Sequence, residues 1–235
     1  VGYDSLNGNT TASYNTAFGF EAMYTNTTGA SNVAIGYQAL ATNNASDNVA
    51  LGRHALGANS TGTRNIAIGN YAYDASDTES DNLAIGYHAM TTNGAGAEKN
   101  IAIGNYVMDA AITGDANIGI GYNALSANLG GYQNTAVGLQ AMLANTTGHN
   151  NSAYGTEALD ANTTGVKNTA IGKSALGGNT TADGNTAVGF EALYANTTGT
   201  RNLAIGYQAY DASDTENDNL AIGYQTMTTD TAGGQ

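Results

Sequence analysis

The chain contains no cysteine, no proline and no tryptophan. Without cysteine there are neither disulfides nor thiolate metal sites, so packing and hydrogen bonds must hold the fold together. Basic residues are scarce: six Lys and Arg stand against 19 Asp and Glu, a net charge of −13. Binding to a nucleic-acid backbone needs clustered Lys and Arg, which disfavours such a partner. The charge reads instead as a soluble, self-repelling surface. No apolar run approaches the roughly 18 residues of a membrane-spanning helix, so no membrane insertion is expected. The chain opens at Val1 in mid-motif, without a methionine or a basic-then-apolar leader, and stops in mid-repeat. The expectation is a segment of a longer protein, with any targeting signal and capping elements outside it.

What is present is a repeat. Asn202-Leu203-Ala204-Ile205-Gly206 recurs in variants along the whole chain, with its glycine at Gly19, Gly36, Gly52, Gly69, Gly86, Gly104, Gly121, Gly138, Gly155, Gly172, Gly189, Gly206 and Gly223. The step is 17 residues, except for 16 between Gly36 and Gly52 and 18 between Gly86 and Gly104. Counting from that glycine as position 0, position −4 is asparagine in all thirteen repeats, from Asn15 to Asn219. A fixed short period means one supersecondary unit stacked on copies of itself. A longer echo overlies it: Arg64 to Gly96 is closely matched by Arg201 to Gly233. No linker or shift of composition interrupts residues 1–235, so a single array is expected.

Positions −3 to +1 alternate between larger residues and Ala or Gly, with Ala at −2 in twelve of thirteen repeats and Gly119 in the other. Period-two patterning rich in β-branched residues predicts a strand. Its Ala/Gly face lets another backbone approach closely. Positions +3 and +4, as in Ala39-Leu40 and Ala141-Met142, read as a second short strand or as a corner with an inward large residue. Asn at +7 followed by Thr-Thr-Gly, as at Asn145-Thr146-Thr147-Gly148, is turn chemistry. The expected fold is all-β, a parallel β-solenoid of about thirteen stacked 17-residue turns without helix. The length changes are expected in turns, at Leu40–Asp47 and Thr92–Lys99, because a residue added inside a strand would flip its faces. One Ile and one Leu per turn is little apolar burial for 17 ordered residues. Association with other chains is therefore expected, with the Ala/Gly face as the natural lateral contact and position −2 near a crowded contact, either between chains or between facing walls of one coil.

The core Asn32-Val33-Ala34-Ile35-Gly36, repeated at Asn65-Ile66-Ala67-Ile68-Gly69, resembles the head repeats of trimeric autotransporter adhesins. The fuller unit Asn185 to Gly199 is similar to repeats of phage tail-fibre-like proteins. The resemblance implies a β-roll or β-solenoid fibre, a homotrimer and an extracellular setting, on a virion tail fibre or a bacterial cell surface. The 17-residue period departs from the adhesin heads, whose repeats are nearer 14 residues.

Candidate sites are few. Asp74 to Asp81 and Asp211 to Asp218 place acids at the same positions in two distant turns. Alternate carboxylates suit Ca²⁺, but the EF-hand spacing with its central glycine is missing, and a solvated acidic loop is the expectation. His54 and His88 share position +2 two turns apart, about 9–10 Å at strand spacing, too far to share a metal within one chain. His149 sits in a turn. No nucleophile has a base at recognisable spacing, and sequon-like triplets such as Asn26-Thr27-Thr28 read as turns. Tyr37, Tyr87, Tyr122, Tyr207 and Tyr224, with Phe20 and Phe190, would stack on sugars if exposed, although a recurrent strand position is more often one of packing. No catalytic, cofactor-binding or metal-ligating residue is assigned and no cofactor is expected. The function expected is a non-enzymatic, trimeric rod for host or surface attachment, through a glycan or receptor in adjoining regions. The alternative is a solenoid that binds polysaccharide or ice through one face.

Overall fold

Each Asn-x-Ala-x-Gly core folds into a three-residue strand covering positions −3 to −1. The computed structural model describes residues 1–228 apart from Ser76, Asn93, Ala95, Ser213 and Asp214. In chain order the strands are β1 (Thr16–Phe18), β2 (Val33–Ile35), β3 (Val49–Leu51), β4 (Ile66–Ile68), β5 (Leu83–Ile85), β6 (Ile101–Ile103), β7 (Ile118–Ile120), β8 (Thr135–Val137), β9 (Ser152–Tyr154), β10 (Thr169–Ile171), β11 (Thr186–Val188), β12 (Leu203–Ile205) and β13 (Leu220–Ile222). Two compact units, Val1–Ala116 and Asn117–Gln235, hold β1–β6 and β7–β13. Within each unit every strand pairs parallel with the next. Alanine faces alanine at every such step where both strands carry one, as in Ala153↔Ala170 and Ala170↔Ala187. Each unit is a parallel β-solenoid, and no helix occurs among the described residues.

The strand's two faces divide inside from outside. The central alanine points into the coil and is fully enclosed from Ala34 to Ala204, while positions −3 and −1 point out. Of the two crowded contacts expected for this position, between chains or within one coil, the enclosed alanine fits the second, and the Ala/Gly face is not free as a lateral contact between chains. The glycine at position 0 completes the close approach. At Gly155, with φ of +141°, an added Cβ would lie 2.5 Å from the carbonyl oxygen of Gly172. Turns can stack at this corner only while it lacks a side chain.

Beyond the glycine the chain makes a corner, and no second strand forms. Non-glycine residues at +2, +4 and −5 take left-handed backbone, as at Gln140 (φ 57°), Met142 (φ 51°) and Lys167 (φ 58°). The large residue at +4 points inward, so Leu40, Met142 and Leu159 are fully buried beside the alanine at +3. None of the left-handed residues at these three positions is Val, Ile or Thr. Branching at Cβ makes that conformation costly, which explains Leu and Met at +4 in a chain whose strands use Ile and Val.

Most of the buried polar side chains are asparagine. At −4, Asn134 donates its side-chain amide to the Gly148 carbonyl (2.8 Å) and accepts the Asn151 backbone N–H (3.0 Å), binding two points of the following turn. At +7, Asn145 donates to the same Gly148 carbonyl (3.0 Å) and also to the Asn128 side-chain oxygen (2.9 Å). Asn162, Asn179 and Asn196 continue that amide ladder. A thin coil thereby satisfies polar groups that would otherwise be buried without partners.

Both irregular steps fall outside the strands. In the 16-residue turn Asn43 donates to the Ala45 carbonyl two residues on, where Asn26 and Asn59 reach a carbonyl three residues on. The ladder loses a rung there, leaving the side-chain oxygen of Asn26 buried without a donor. In the 18-residue turn Met90 keeps the usual bond to Val107, while Asn82 reaches Ala97, 15 residues away instead of 14. The extra residue therefore lies between Met90 and Ala97. Strand register is unbroken on both sides.

Candidate assembly surface

Positions −3 and −1 of each strand project from the coil as two parallel columns. Unit 1 carries Thr16, Val33, Val49, Ile66, Leu83 and Ile101 in one column, and Phe18, Ile35, Leu51, Ile68, Ile85 and Ile103 in the other. Unit 2 carries Ile118, Thr135, Ser152, Thr169, Thr186, Leu203 and Leu220 beside Ile120, Val137, Tyr154, Ile171, Val188, Ile205 and Ile222. Many of these stand well exposed for residues of their type: Ile35 is 40% and Ile171 43% accessible. No outward position in any of the thirteen strands is charged, in a chain of net charge −13. The strip is mostly aliphatic, broken in unit 2 by Thr135, Ser152, Thr169 and Thr186 in one column and by Tyr154 in the other.

A second column follows position +1 and then passes to +2. Tyr3, Phe20 and Tyr37 stack at 5.4 and 5.3 Å with nearly parallel rings. His54, Tyr71, His88 and Tyr106 continue at 5.3, 5.2 and 5.8 Å. Arg53 lies over the rings of Tyr37 and Tyr71 at 5.7 and 5.2 Å. In unit 2, Phe190, Tyr207 and Tyr224 repeat the arrangement at 5.1 and 5.2 Å. These tyrosines lie outside the strands; Tyr37 is 44% and Tyr207 43% accessible, while Tyr71 and Tyr106 are half-buried. Within a stack the ring faces cover one another and present their edges to solvent, which leaves little face for a sugar. His54 and His88 flank Tyr71, so the ring between them occupies the space a shared ligand would need. His149 stacks on Tyr132 at 4.4 Å.

Several carboxylates of the acidic loops go to separate partners, while the buried Asp211 Oδ1 accepts no hydrogen bond. Asp81 forms a two-pronged pair with Arg64 (2.6 and 2.8 Å), repeated by Asp218 with Arg201. The side-chain hydrogen bond from each arginine holds these carboxyls below the usual aspartate range. Asp77 accepts the Ser60 hydroxyl. Burial pushes the Glu79 carboxyl up, but hydrogen bonds from the backbone N–H groups of Glu79, Gly96 and Thr78 and from the Thr78 hydroxyl outweigh it, leaving it below its usual value. Burial raises Asp74, partly offset by His54 and His88. Burial raises Asp211 too. Of the two loops' residues, Ser76, Ser213 and Asp214 lie outside those described.

Sequence reasoning left open whether the small face meets another chain or the inside of its own coil, and so did not single out the free face.

The fold and this surface define a class, the parallel β-solenoid with an uncharged outward sheet face. Comparison with protein-family models, with curated proteins and with solved structures finds no match to the chain.

Proposed function

We propose that this chain is a structural, non-enzymatic module of an extracellular fibre or adhesin head, associating as a homotrimer and serving host or surface attachment through adjoining regions. The observation that carries the reading is the charge-free double column on the outward sheet face. Its occupant is further copies of the same chain. A self-repelling surface would keep like chains apart everywhere except along an uncharged strip, and aliphatic side chains gain most by leaving water there. The resemblance of the Asn-x-Ala-Ile-Gly core to trimeric adhesin heads and tail-fibre-like proteins supports three copies. Threefold symmetry lets each chain bury the same strip against its neighbours. The polysaccharide alternative has less support, because the stacked rings cover their own faces.

Sedimentation of the purified chain is the test. The expected mass is three times 23.8 kDa. Replacing Ile171 and Ile205 together by Glu should give a folded monomer with an unchanged β circular-dichroism spectrum. A native chain that stays monomeric at micromolar concentration would overturn the reading. So would a double variant that keeps the native mass.

A further inference from the structure

Near-identical turns leave an assembly with a choice of register. A copy displaced along the axis by one turn meets almost the same surface, and aliphatic contacts, being non-directional, discriminate little between the two positions. We infer that the hydroxyls of Thr135, Ser152, Thr169 and Thr186 set the axial register in which copies of this chain associate; the inference rests on the assembly proposed above.

The four occupy the −3 position of consecutive strands β8 to β11 and interrupt an aliphatic column, with Ile118 before them and Leu203 and Leu220 after. Val137, Tyr154, Ile171 and Val188 stand beside Thr135, Ser152, Thr169 and Thr186 on the same face. Each hydroxyl-bearing residue is half-buried, and among the described residues none of the four hydroxyls bonds within the chain. Threonines in the turns behave differently: Thr146 donates its hydroxyl to the Thr163 carbonyl (2.9 Å), and Thr163 to that of Thr180 (3.0 Å). The contrast has a geometric cause. Backbone N–H and C=O groups lie in the plane of the sheet and are taken by the strand ladder, so a hydroxyl on the outer face has no local acceptor.

When copies bury this face in register, hydroxyl layers meet hydroxyl layers, and each group both donates and accepts. A displacement of one turn sets Thr135 against Ile118 and Thr186 against Leu203. Hydroxyls at both ends of the block are then enclosed among aliphatic groups without partners, and a displacement of two turns doubles the mismatch. A polar block in an apolar seam gives up some burial for a single alignment.

Disulfide trapping reads the register directly, because the chain has no cysteine of its own. Chains carrying Ile171→Cys and differently tagged chains carrying Val188→Cys are refolded together and oxidised. Same-layer disulfides should exceed 171-to-188 disulfides by about tenfold or more, given the cost of unpaired buried hydroxyls. In the background Thr135→Val, Ser152→Val, Thr169→Val and Thr186→Val the two should become comparable, while sedimentation shows the mass retained. Valine already stands at this strand position at Val33 and Val49, so the variant is expected to fold. Restoring serine at all four positions should restore the preference. An unchanged preference in the valine background would overturn the register role, and so would loss of the assembly there. A monomeric native chain would instead overturn the assembly on which the inference rests, and sedimentation distinguishes that failure from the first.

Discussion

Leu159 is fully buried with φ of +54°. Exchanging leucine for isoleucine in an ordinary core costs below about 1.5 kcal/mol after repacking. Here the branched Cβ would meet a left-handed backbone, so Leu159→Ile should cost about 2 kcal/mol or more. Leu159→Met, which copies Met142 one turn earlier, should stay below about 1.5 kcal/mol. Shifts of the urea midpoint for the two variants decide the matter, and equal shifts would contradict the backbone argument. Glu79 supplies a pH test. Its folded carboxyl is held below the ordinary value of 4.5, so its stabilisation is complete above 4.5 and is lost as pH falls through the lower folded value. Glu79→Gln should therefore be less stable than the native chain at pH 7, and the gap should close below pH 4.5. Melting curves of both proteins between pH 7 and pH 2 measure it.

At the scale of the element, the strand and the turn differ in how much length change they accept. The 16- and 18-residue steps show the slack between position +4 and the inward carbonyl that follows it, while each strand keeps its partner. Deleting Thr164, an exposed turn residue, should mimic the 16-residue turn and leave the solenoid intact, at the cost of a ladder rung near Asn162. Deleting Ala170 would carry Ile171 to the enclosed inward place in β10, flanked by Ala153 and Ala187. Overpacking of this kind costs about 1–3 kcal/mol, to which the broken register adds. Thermal melts by circular dichroism should show a small loss for the first deletion and a large one for the second.

For the whole molecule, stability and association should be linked. A chain whose uncharged strip is buried only in the assembly gains stability by mass action. Its melting temperature should rise with protein concentration across the micromolar range. The folded monomer made by Ile171→Glu with Ile205→Glu should melt lower and without that dependence. Differential scanning calorimetry at several concentrations separates the two, and a native melting temperature independent of concentration would count against the assembly.

Much of the architecture was legible in the residues. The recurring Asn-x-Ala-x-Gly announced a parallel solenoid, because a 17-residue period with period-two alternation inside it permits little else. The length changes were assignable to turns for the same reason. The direction of each strand face was not legible. Alternation separates Ala204 from Leu203 and Ile205 without saying which set faces the coil, since a larger residue inside and alanine at a contact between chains would give the same pattern. Only the closed coil decided it, by enclosing Ala187, Ala204 and Ala221 and leaving Leu203 and Ile205 outward. The corner was also a tertiary decision. Phe20 and Tyr207 continue the strand's alternation in sequence, yet the glycine before each turns the chain, and stacking of ring on ring fixes where they point.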